Sequence, residues 1–130
     1  MTKTALITLL TIAVGLEAPS ASAQDTAEEM ASACKSVASA EVSGEGVKVP
    51  STFEAGVCWG AFLSLQDVIV VGDVRGRALL GVCAPAKSTR TQLVAVFLRY
   101  TETHPEKLHR PFVETALASL RQAFPCRETR

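Results

Sequence analysis

Cys34, Cys58, Cys83 and Cys126 constrain this 130-residue chain more than any other feature, because no two of them lie closer than 24 positions. A structural zinc site draws its ligands in close pairs such as C-x-x-C, and these cysteines form no such pair. An even number of well-separated cysteines in a short exported chain points instead to two disulfides. Each disulfide closes a long loop, so elements far apart in sequence have to meet in space.

Export is read from the first residues. Lys3 supplies a positive start, Ala5 to Leu16 is an apolar run, and Ala21-Ser22-Ala23 places small residues where a signal peptidase cuts. Cleavage is expected before Gln24, leaving residues 24–130 as a single helical domain. A run of about twelve residues is too short for a mature membrane helix, which needs roughly twenty. No second long apolar segment is read further along, so a protein without stable membrane insertion is expected in the periplasm. The chain carries 13 basic and 13 acidic residues. The signal takes one of each (Lys3 and Glu17), so the remainder stays neutral and lacks the basic field of a nucleic-acid binder.

Hydrophobic periodicity gives four helices. Thr26-x-x-Glu29 fits a capping box opening a helix over 26–41, with Ala27, Met30, Cys34, Val37 and Ala38 on its apolar face. Ser43-Gly44-Glu45-Gly46 through Pro50 reads as a loop. Ser51-x-x-Glu54 repeats the capping signature, and Phe53, Val57, Ala61, Leu65, Val68 and Ile69 form the second stripe, with Cys58 and Phe62 beside it. Gly56 and Gly60 are read as a place for close helix approach. Val68-Ile69-Val70-Val71 is β-branched enough for a strand, but the stripe continues through it, so helix is preferred, with Gly72 as its stop. A charged loop follows over 72–87. Thr89-x-x-Gln92 opens the third helix, striped by Leu93, Val96, Phe97 and Tyr100 and ended near 103 by Pro105. After a turn at 104–110, Pro111 begins the last helix, with Val113, Ala116, Leu117, Leu120 and Phe124 on its apolar face and Pro125 closing it.

The last two helices, about fifteen and thirteen residues long, span roughly 22 and 20 Å at the usual rise. A short connection makes them antiparallel, which brings Cys83 and Cys126 together beyond their outer ends. Cys34 and Cys58 remain for the first two helices. Of the three possible connectivities, 34–58 with 83–126 is the one predicted. The fold class is thus all-α, a small four- to five-helix bundle stapled by two disulfides.

No enzyme is legible. His104 and His109 are five apart, not the i, i+4 spacing of a helical zinc pair, and neither paired carboxylates nor a nucleophile with a base has a local signature. The glycines of 72–87 do not match a phosphate-binding spacing, and no cofactor is indicated. Trp59 reads as core or interface. What remains are two charged surface segments able to contact a partner. His104, Glu106, Lys107, His109 and Arg110 share one turn, and Asp73, Arg75 and Arg77 share the loop after the second helix.

Cys83-x-Pro85, Gln92-Leu93, Tyr100, Pro105, Ala116-Leu117 and Phe124-Pro125-Cys126 occur in an order that resembles the Rap/Tai family, the immunity proteins of type VI secretion systems. The resemblance spans Cys83–Cys126 and extends through Cys58-Trp59-Gly60-Ala61-Phe62. It departs at Ala61, where an aromatic is common, and at Ser64, where a glycine is expected. It implies a small helical bundle, a homodimer, and a periplasmic inhibitor that occludes the cleft of an exported toxin such as a peptidoglycan amidase. The rival classes are a periplasmic stress or chaperone-like protein and an envelope interaction module.

Overall fold

The computed structural model describes residues 25–43, 46–74, 78 and 80–127. The signal segment 1–23 lies outside the described residues. Four helices, α1 (Ala27–Ala38), α2 (Phe53–Val74), α3 (Arg90–Thr103) and α4 (Phe112–Ala123), make a bundle in which α1 packs against the other three. Two disulfides staple it with the predicted connectivity. Cys34 joins Cys58 at a Cα–Cα distance of 5.2 Å, and Cys83 joins Cys126 at 5.0 Å.

Thr26 and Thr89 cap α1 and α3 with complete capping boxes. Each hydroxyl accepts the N–H three residues on, and Glu29 or Gln92 reaches back to the cap's own N–H. α2 begins one residue later than the Ser51 signature implies. Thr52 Oγ1 accepts the Ala55 N–H at 3.1 Å, so the third helical position is Ala55, not Glu54, and no carboxylate completes a box. α2 also runs beyond Gly72 to Val74, which settles the β-branched run as helix and removes Asp73 from the loop expected over 72–87.

α1 ends at Ala38, short of the expected 41, and Glu41 together with part of the loop expected over 43–50 forms an antiparallel hairpin, β1 (Glu41–Ser43) with β2 (Gly46–Lys48), in register Glu41↔Lys48 and Val42↔Val47.

The core centres on Phe62, Phe97 and Phe112, one ring each from α2, α3 and α4, with centroids 5.4–5.6 Å apart in tilted and edge-to-face arrangements. This trio rotates three helices away from the stripes read in the sequence. α2 buries Ala55, Cys58, Phe62 and Leu65, while Phe53 and Val68 stand exposed. α3 buries Leu93, Val94, Phe97 and Thr101, leaving Val96 and Tyr100 half-buried. α4 buries Phe112, Thr115, Ala116, Ser119 and Leu120, leaving Val113 exposed and Leu117 and Phe124 half-buried. In α1 the stripe holds, except that Ala38 is exposed and Ala31 is buried.

The expectation that no second long apolar segment exists is also overturned. Phe53–Val71 is long and apolar enough to cross a membrane by length and composition. Here its Ala55, Cys58 and Phe62 are wholly enclosed by the bundle, and Cys58 is bridged to α1. Among the described residues no other helix closes on Gly56 or Gly60, since a Cβ on either would meet nothing within 4 Å.

Candidate partner-binding site

The 104–110 turn is built from three features of the sequence. Pro105 ends α3 at Thr103, Pro105–Lys107 form one 3-10 turn, and Pro111 stands as the cap of α4. Lys107 N–H donates to the His104 carbonyl at 2.9 Å and Arg110 N–H to the Lys107 carbonyl at 3.0 Å, which tightens the segment on itself.

Its carbonyls then serve α1. A helix starts with four N–H groups that have no partner inside it. In α1 the Ala27 N–H donates to the Arg110 carbonyl at 2.9 Å and the Glu28 N–H to the Leu108 carbonyl at 3.0 Å. The Glu29 N–H donates to Thr26 Oγ1 and the cap's own Thr26 N–H to Glu29 Oε2, so all four are satisfied. In return Phe112 N–H donates to the Asp25 carbonyl at 2.9 Å, and Thr26 pairs with Pro111 as an isolated bridge. The turn is therefore held by main-chain bonds to a different helix, and its side chains are left over.

Those side chains divide into two kinds. Glu106, Lys107 and His109 are exposed. Arg110 donates through Nε and Nη2 to Glu114 Oε1 at 3.1 and 2.8 Å, a half-exposed pair of the kind that contributes little to stability. His104 is half-buried and already used by the fold. Its ring stacks on Tyr100 at 4.1 Å, and Nδ1 lies 3.0 Å from both the Tyr100 carbonyl and Thr103 Oγ1. A carbonyl only accepts, so that contact requires the proton on Nδ1. Behind Tyr100 an open groove of about 330 Å³ runs between α3 and α4, lined by Arg99, Thr103, Ser119 and Gln122.

The side chains of the second predicted segment, Asp73, Arg75 and Arg77, lie outside what the structure describes, with Asp73 in the last turn of α2. Glu114 and the Tyr100–His104 stack were not singled out from the sequence. Glu114 follows Arg110 by four residues, the helical ion-pair spacing, so a signal for it was present. Trp59, half-buried, carries the Arg90 guanidinium 4.3 Å over its ring. No group of three or more His, Cys, Asp or Glu able to hold a metal ion occurs among the described residues.

A family model described as Rap1a immunity proteins matches residues 20–126, nearly the whole chain. No curated protein and no solved structure matches it.

Proposed function

The chain belongs to the Rap1a immunity proteins, and from that premise we propose that it is an exported type VI secretion immunity protein. It binds a toxin of the peptidoglycan amidase class in the periplasm and blocks the toxin's cleft by occupying it. Two disulfides fit an oxidising compartment of that kind. Binding, not catalysis, is its activity.

The observation that carries this reading is the turn: Glu106, Lys107 and His109 are exposed on a loop whose backbone is already tied to α1. Ordering a loop on binding costs affinity, and a loop fixed beforehand avoids that cost. The test is co-expression with a candidate periplasmic amidase, followed by co-elution. Protection and a stable complex are expected, with Glu106→Lys combined with Lys107→Glu weakening the complex by at least about tenfold, in line with charge contacts at an interface rim. Persistent toxicity with no complex rejects that partner. An unchanged affinity in the double variant removes the turn from the interface.

A second reading concerns the bare side of α2, where Phe53, Leu63, Val68, Val70 and Val71 are all exposed. Exposed apolar patches of this kind mark interaction surfaces. We infer that a second copy covers this face, giving a homodimer. The chaperone-like alternative leaves it open. Light scattering of the purified chain decides: a dimer that Leu63→Glu converts to monomer supports the first, and a wild-type monomer that binds an apolar dye supports the second.

A further inference from the structure

The two bridges share a chemistry and differ in setting. Cys34 and Cys58 are fully buried between α1 and α2, with no exposed surface. Cys83 and Cys126 are both exposed, lie outside the helices, and tie the segment before α3 to the residues after α4.

Around the exposed bridge the chain has a second, non-covalent fastening. Cys83 N–H donates to the Phe124 carbonyl at 2.9 Å, Val82 pairs with Pro125 as an isolated bridge, and Arg121 Nε donates to the Leu80 carbonyl at 2.6 Å. Gly81 permits this last approach. Its φ of +66° is left-handed, and a Cβ there would sit 3.4 Å from Arg121 Nε. Beside the bridge an apolar cleft of about 240 Å³ lies between Ile69 and Val70 of α2, Leu93 of α3 and the segment Val82–Pro85. Val82 and Leu93 are buried, so this segment acts as a cover over the edge of the core.

We propose that Cys83–Cys126 is a reduction-sensitive clasp, opened by a dithiol reductant while Cys34–Cys58 and the four helices stay intact. One thiolate of the dithiol attacks an exposed sulfur, the S–S bond breaks, and the other cysteine leaves as thiolate. The reductant's second thiolate then displaces the protein from the mixed disulfide. Two electrons and two protons end on Cys83 and Cys126, and the reductant becomes a disulfide. Attack requires access to the sulfur, which the exposed pair offers and the buried pair withholds until the bundle opens. Opening the clasp loosens the 80–88 cover over Val82 and Leu93, so the reduced form presents apolar surface that the oxidised form hides.

The test treats the full chain with graded dithiothreitol, traps free thiols with N-ethylmaleimide and maps them by mass. Cys83 and Cys126 are expected to label at least about tenfold faster than Cys34 and Cys58, with a one-bridge species accumulating. Hydrogen exchange in that species should rise over 80–88 and 124–127 and stay unchanged in the helices. Loss of both bridges together, or of Cys34–Cys58 first, overturns the proposal. So does a C83S/C126S variant that loses its helical circular dichroism or its remaining bridge, because the unclasped form has to be folded.

Discussion

α1 and α2 are bridged to each other through Cys34 and Cys58 yet meet solvent in opposite ways. α1 is conventionally two-sided: Ala27, Met30, Cys34 and Val37 face the core, and Glu28, Glu29 and Lys35 face water. α2 is apolar nearly all round, so it has a face to bury and further apolar surface to spare. The difference teaches what periodicity can and cannot determine. Where polar residues mark the wet side, the dry side follows. Where both sides are apolar, only tertiary partners choose, and in α2 the choice falls to Cys58 and Phe62.

The hardest test of that choice sets two phenylalanines of one helix against each other. Phe62 is fully buried in the aromatic trio, and Phe53 is 82% exposed. Phe62→Ala is expected to cost about 3–5 kcal/mol through lost burial and the cavity left behind. Phe53→Ala should stay within about 0.5 kcal/mol, as surface changes usually do. Urea unfolding measures both, with each substitution placed in the disulfide-intact L63E background so that the proposed dimer face stays uncovered. Equal costs would mean that the buried face of α2 has been misassigned.

The same contrast explains how much of the molecule was legible beforehand. Two of the three caps were readable because they are local: Thr26 with Glu29 and Thr89 with Gln92 involve residues three apart and both boxes form, whereas Ser51 with Glu54 fails because the neighbouring Thr52 accepts the Ala55 N–H instead. The disulfide pairing was readable because helix length and chain reversal leave few ways to bring cysteines together. The rotation of α2, α3 and α4 was not, since Phe62, Phe97 and Phe112 meet only across the bundle, and while Phe97 lies on its local stripe, Phe62 and Phe112 sit beside theirs. The hairpin was missed because its strands are three residues each, too short for an alternating pattern. For the candidate site, the exposure of Glu106, Lys107 and His109 followed from two prolines bracketing a charged turn. The attachment of that turn to α1 is a main-chain arrangement, and side-chain identity does not encode it.

That attachment gives the second test, on the α1 side. Thr26→Ala removes the hydroxyl that accepts the Glu29 N–H and should cost about 1 kcal/mol, the usual figure for losing an N-cap. Thr89→Ala in α3 should cost about the same in thermal unfolding. Their local consequences differ. The Ala27 and Glu28 N–H groups reach across to Arg110 and Leu108, so faster hydrogen exchange in T26A should appear in the turn as well as in α1. Exchange confined to α1 would show that the turn keeps its shape without the cap.

The smallest effect separates the two caps by charge. Thr26 donates to Glu29 Oε2 through its backbone N–H and its hydroxyl, both at 2.9 Å, and the backbone bond is the larger cause holding the carboxyl below its ordinary value of 4.5. Bonds that favour the ionised form in the folded chain stabilise the fold above the ordinary carboxylate value, and that contribution fades as pH falls through the lower folded value. The Thr89 box uses neutral Gln92 and has no such dependence. Glu29→Gln should therefore reduce the loss of stability on going from pH 5 towards pH 2, while leaving the α3 cap untouched. Since the carboxyl is exposed, the effect is a modest change of slope in a plot of melting temperature against pH. A wild-type slope identical to that of E29Q would mean that the α1 box works through geometry alone, as the α3 box does.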